Sequence, residues 1–185
     1  MALTALDPKT AFVAIDLQNG IVGRPTVHPI GPVIDNAAAL AAAFRERGLP
    51  VALVNVTGVA PGRTEAPRMG GSFPPGFADL VPQLNPQPGD HLATKRTWGA
   101  FASTDLDAWL KAQGATQVVL AGVSTSIGVE TTAREAYALG YNVTLAVDAM
   151  TDMAAEAHDN SVRLIFPRLG ESGTTQDVLA LLAGS

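Results

Sequence analysis

The chain of 185 residues contains no cysteine. That absence removes disulfides, thiolate metal sites and thiol nucleophiles together, so any chemistry falls to oxygen, nitrogen or water. Charge is scarce too: charged residues make up 16% of the chain, with 12 basic against 17 acidic for a net charge of −5. The longest basic run is Lys95-Arg96, which argues against a phosphate-tracking nucleic-acid surface and a basic membrane patch. The three histidines, His28, His91 and His158, are far apart and none falls in a paired-ligand pattern, so neither a metal nor another cofactor is expected. No apolar run approaches the ~18–20 residues of a membrane-spanning helix. The opening MALTALDPKT has neither the basic start nor the apolar stretch of a secretory signal, and a cytoplasmic location is expected.

What the chain does have is apolar matter, 47% of its residues, enough for one folded domain over 1–185 with a sizeable core. Short apolar runs alternate with helical patterns, the signature of an α/β fold with a parallel sheet covered on both faces. The strand candidates are Phe12–Leu17, Val51–Val56, His91–Thr94, Gln117–Gly122 and Asn142–Val147, mostly continuous apolar runs as in doubly buried strands. Helical spacing marks Val33–Arg47, Ser103–Ala112 and Ser126–Leu139, with a final helix from about Thr175 to Leu182 expected on a sheet edge. Gly58–Gly89 breaks this rhythm, holding seven of the thirteen prolines and six of the eighteen glycines. It reads as a long loop over the sheet's carboxyl edge, where α/β proteins place ligand-covering segments.

Ligand sites of open parallel sheets lie at the carboxyl ends of the strands. Asp16 ends the first apolar run and is followed by Gln18 and Asn19. It reads either as the cap of a turn or as a proton carrier. Lys95 follows the third run, in Thr94-Lys95-Arg96-Thr97-Trp98-Gly99-Ala100-Phe101. It is a surface lysine unless it converges on Asp16, where its ammonium would tune the carboxyl group; Trp98 and Phe101 would then wall a pocket or else pack in the core. The turn Gly122-Val123-Ser124-Thr125-Ser126-Ile127-Gly128-Val129-Glu130 leads from the fourth strand into a helix. Such a turn aims backbone N–H groups at developing negative charge. It contains no Gly-x-Ser-x-Gly elbow, and Thr125 or Ser126 reads as a helix cap.

Taken in order, Asp16, the Lys95-Arg96-x-Trp98-x-Ala100-Phe101 segment and the Gly122–Ala133 segment resemble the isochorismatase-like hydrolases of the cysteine hydrolase superfamily. The resemblance runs from Ala11 to the Gly173–Leu179 ending. Its specific part is Gly-Val-x-Thr-x-x-Cys-Val-x-x-Thr-Ala, matched at Gly122, Val123, Thr125, Val129, Thr132 and Ala133. The resemblance implies a three-layer α/β/α Rossmann-like fold with a six-stranded parallel sheet, a small-molecule substrate and a homodimer or larger homo-oligomer. It carries the family's Asp onto Asp16 and its Lys onto Lys95, and puts Gly128 where the family has its cysteine. It also implies a non-proline cis peptide between Val123 and Ser124, which would turn backbone donors toward a substrate oxygen, and makes Gln18, Trp98, Phe101, Val123 and Ser124 candidate substrate-binding residues.

Gly128 divides the reaction classes. Family amidases attack a carbonyl with the thiolate, a route closed here. Isochorismatases proper resemble this chain in carrying Gly at that position; there the Asp protonates a vinyl ether and water captures the resulting cation. Two effects then oppose each other at Asp16, since a nearby ammonium favours its ionised form and burial its protonated form. The metal-binding branch of the family has Asp-x-His after strand two, where this chain reads Asn55-Val56-Thr57. Arg63 is the candidate cation for an anionic substrate or else a solvated loop arginine, and Gly20-Ile21 replaces the aromatic pair of isochorismatases. Two further readings stay open: hydrolysis of another small amide or ester by Asp- and Lys-activated water, and a catalytically inactive small-molecule binder.

Overall fold

In the computed structural model, which describes residues 3–65 and 73–184, the first apolar run forms strand β1 (Thr10–Ile15), buried at every position. There follow α1 (Asn19–Val22), α2 (Ile30–Glu46), β2 (Val51–Val56), β3 (His91–Lys95), α3 (Leu106–Ala112), β4 (Gln117–Val123), α4 (Glu130–Ala138), β5 (Asn142–Thr151), α5 (Ala155–Asn160), β6 (Glu171–Gly173) and α6 (Thr175–Gly184). The strands make one sheet in the order β3-β2-β1-β4-β5-β6, with every pairing parallel. The three-layer α/β/α arrangement expected of the sequence is therefore present.

Successive side chains of a strand point to opposite faces, and the two cores follow that alternation. Phe12 and Ala14 of β1 join Leu53, Val119 and Ala121 against Ala37, Leu40 and Phe44 of α2 and Val178 and Leu182 of α6. Ala11, Val13 and Ile15 join Val54, Ala93 and Leu120 against Leu106 and Leu110 of α3 and Ala133 and Ala136 of α4. Helix α6 thus packs beside α2 on a sheet face, not on an edge as expected, because Val178 and Leu182 complete that apolar layer. Helix α2 stops where Gly48 takes a left-handed φ of 65°, a conformation glycine adopts without steric cost.

Strand β1 lies two residues earlier than the Phe12–Leu17 read from the sequence, because the chain turns at Asp16, and the sheet differs more at its far edge. Strand β5 extends to Thr151, past Val147, and its pairing with β4 shifts between Leu120 and Gly122. Strand β6 is only three residues long and has no apolar run to announce it; it is held by pairing with Thr144–Ala146 of β5. Of the Gly58–Gly89 excursion, residues 66–72 lie outside the described residues. The remainder does more than cover the carboxyl edge: Leu80 bridges to Gln18, and Phe77, Val81 and Leu84 are buried in the α2-side core. No helix among the described residues is long and apolar enough to cross a membrane.

Candidate active site

The chain leaves β1 toward β2 on one side and reaches β4 on the other, so the strand order reverses between β1 and β4. A crevice at such a switch point is where doubly wound sheets bind ligands. Asp16 stands there. Its N–H donates to Val54 O at 2.8 Å, but its φ of 53° breaks the strand. A left-handed conformation costs a non-glycine residue roughly 1–2 kcal/mol and is best tolerated by short polar side chains such as Asp. Opposite Ile15 lies Gly122, with φ 126°, where a Cβ would overlap the Ile15 carbonyl. Glycine at 122 thus lets β4 close on β1 just below the site.

Lys95 ends β3 on the same face as Ala93, and the whole residue is 2% exposed. Its ammonium donates to Asp16 Oδ2 at 2.8 Å and to the carbonyls of Thr97 and Trp98 at 3.1 and 3.0 Å. Those three contacts use all three N–H groups. Asp16 Oδ1, by contrast, is buried and has no hydrogen-bond partner among the described residues. Burial is the larger influence on this carboxyl group and outweighs the opposing Lys95 ammonium, pushing its pKa from 3.8 up to about 6. The competition left open by the sequence is decided in favour of burial.

Gly128 completes the group. It lies in a π-helical turn (Thr125–Val129) that leads into α4. A Cβ built there would stand 2.9 Å from Ile15 Cγ2, 3.3 Å from Asp16 Oδ2 and 3.4 Å from Val123 O. A side chain at residue 128 would therefore abut the Asp16 carboxylate and crowd Ile15, which the glycine leaves in place. The Val123–Ser124 peptide is cis, as the resemblance implies.

The other expected residues are placed variously. Gln18 is wholly buried, and its amide is consumed by the backbone: Nε2 donates to Val56 O and Phe77 O, and Oε1 accepts from Val56 N–H. It clamps β1, β2 and the Phe77 loop together. The ring of Phe101 packs in the core, its centroid 6.0 Å from that of Tyr141. Trp98 is 57% exposed and meets Lys95 through its carbonyl. Ser124 Oγ donates to Met153 Sδ at 3.0 Å, and Arg63 is exposed on the loop after β2.

Thr125 and Ser126 do not cap the turn with their side chains. Thr125 Oγ1 pairs with His158 Nδ1 at 2.9 Å. The capping oxygen is Asp152 Oδ2, which accepts from the Ser126 N–H, while Oδ1 accepts from the N–H of the next residue, Met153, at 2.7 Å each. Asp152 directly follows β5; ending that strand at Val147 hid a polar residue at a carboxyl strand end, the signal that would have found it. Thr132 was visible only as a motif match, yet its hydroxyl donates to Gly128 O at 2.7 Å and accepts from Ala100 N–H at 3.1 Å. Among the described residues, no group of three or more His, Asp or Glu side chains is disposed to hold a metal ion.

A buried Asp–Lys pair thus stands beside a tight turn on β4 at the switch point of a doubly wound sheet, the place where such sheets bind ligands. The isochorismatase domain model matches residues 10–177, and the chain belongs to the isochorismatase family of hydrolases. It is 44% identical over 179 residues, 92% of this chain and 93% of the relative, to the uncharacterized isochorismatase family protein YwoC of Bacillus subtilis (strain 168). An isochorismatase family protein from Burkholderia thailandensis superposes with a TM-score of 0.93 at 42% identity, covering 97% of this chain and 98% of that one. A probable isochorismatase of Pseudomonas chlororaphis is 29% identical over 188 residues, 97% of this chain and 89% of that protein.

Proposed function

We propose that this hydrolase cleaves isochorismate or a related small vinyl ether, with Asp16 as proton donor and water in place of a sulfur nucleophile. The observation that carries this reading is Asp16 Oδ1, a buried carboxyl oxygen without a partner among the described residues, on a group whose pKa is raised to about 6 and which abuts a glycine. At pH 7 such a group is protonated in about one molecule in ten, enough to supply a general acid. In the reaction Asp16 gives its proton to the terminal methylene carbon of the enol ether. Water adds to the oxocarbenium carbon so formed. The hemiketal collapses to pyruvate and an alcohol, and the proton that water releases restores Asp16. Lys95 holds the carboxylate left behind after proton transfer.

The test is isochorismate with purified protein, following pyruvate by coupled lactate dehydrogenase. Turnover is expected to fall as pH rises through about 6 and to be lost in Asp16→Asn. Absence of pyruvate from wild type, or its undiminished formation by Asp16→Asn, overturns the reading. The 2.8 Å Lys95 contact favours a second reading, in which ionised Asp16 deprotonates water for attack on a small amide or ester. There turnover of an amide and ester panel would rise with pH through the same range.

A further inference from the structure

The loop that supplies two acceptors to Lys95 is fastened by α4. Ala100 N–H donates to Thr132 Oγ1 at 3.1 Å, and Phe101 N–H donates to Glu135 Oε2 at 2.9 Å. Between the Lys95 contacts and these two anchors sits Gly99, where a Cβ would run into the Glu135 carboxylate. With Glu135 in the position that accepts from Phe101 N–H, there is no room for a side chain at residue 99. Thr132, fully buried, also donates to Gly128 O at 2.7 Å, so a single oxygen joins the loop behind Lys95 to the turn beside Asp16.

We propose that Thr132 and Glu135 are a positioning pair on α4 that holds the Lys95 ammonium against the Asp16 carboxylate and keeps both in register with the Gly128 turn. A hydroxyl offers one proton and two lone pairs, so Thr132 gives to Gly128 O and takes from Ala100 N–H at once. Valine has the same shape and does neither. Its substitution leaves a buried N–H and a buried carbonyl without their side-chain partner, frees the loop to shift, and moves the Thr97 and Trp98 carbonyls relative to Lys95 Nζ. An ammonium drawn away stabilises the Asp16 carboxylate less, and Asp16 then keeps its proton to higher pH. The proposal deepens the reading of Asp16 as the acid and rests on that reading only for its catalytic consequence.

The experiment is a carbon-13 NMR titration of the carboxyl groups in the substrate-free protein, with Asp16→Asn assigning the Asp16 signal. Failure of isochorismate turnover therefore leaves its outcome intact. Thr132→Val is expected to raise the Asp16 midpoint by about 0.5–1 pH unit, part of what a close opposite charge is worth, and Thr132→Ser to restore the wild-type midpoint. Glu135→Gln removes the charge but keeps an acceptor oxygen, so it is the baseline for Glu135→Ala, whose midpoint is expected above it. A folded Thr132→Val with an unshifted midpoint, or a Thr132→Ser shifted as far as Val, overturns the proposal. If Thr132→Val does not fold, the Glu135 pair decides: equal midpoints in Ala and Gln overturn it.

Discussion

Raising the pKa of Asp16 from 3.8 to about 6 has a consequence for stability that needs no substrate. A carboxyl group that binds its proton more tightly in the folded than in the unfolded chain opposes folding when ionised. Its contribution is fully favourable below about pH 4 and is lost as pH rises through about 6. Each tenfold change in proton affinity is worth about 1.4 kcal/mol, so ionised Asp16 costs about 3 kcal/mol above pH 8 and about half that at pH 5. Urea unfolding of wild type and Asp16→Asn across pH 4.5–8 isolates this contribution, since other groups titrate in both proteins and cancel in the difference. The stability of wild type relative to the variant is expected to fall by about 2 kcal/mol from pH 4.5 to pH 8. A flat difference would mean that the Lys95 ammonium fully offsets burial, one that grows with pH that it outweighs burial, and with either the general-acid assignment would go.

Two further outcomes test the construction of the site. Gly128→Ala places a methyl 2.9 Å from Ile15 Cγ2 and is expected to destabilise by about 1–3 kcal/mol, as overpacking does. That penalty should shrink in an Ile15→Ala background, and strict additivity in the thermal-melt double-mutant cycle would show that the two residues do not press on each other. Gln18→Leu strips the partner from three buried backbone groups of Val56 and Phe77 and should cost about 3 kcal/mol or more in urea unfolding. A loss below about 1 kcal/mol would refute the clamp and reopen Gln18 as a ligand-facing amide.

Much of this molecule is written locally. Strand β2 could be read to the residue because Val51–Val56 is apolar at every position but Asn55, the pattern of a strand buried on both faces. The β4 turn was identifiable because Gly122, Thr125, Val129 and Thr132 fall at the fixed spacing of the motif that carries the family resemblance. The short strand β6 and the far end of β5 were not legible, since partners remote in the chain hold them. The true employment of Gln18 and Phe101 was hidden for the same reason: an amide or an aromatic ring after a strand is compatible with a pocket or with the core, and only its neighbours choose.

The sequence by itself determined the family, the layered α/β fold, the absence of any cysteine nucleophile and the choice of Asp16, Lys95 and Gly128 as candidates for the site. Tertiary structure alone decided how those three meet: the left-handed turn at Asp16, the ammonium at 2.8 Å with all its donors engaged, the carboxyl oxygen with no partner among the described residues, and the ties from Thr132 and Glu135 to the loop after Lys95. The physical reason is that the protonation of a buried carboxyl group depends on the balance of desolvation against one nearby charge. Both quantities depend on distances between groups far apart in the chain, and residue order does not specify such distances.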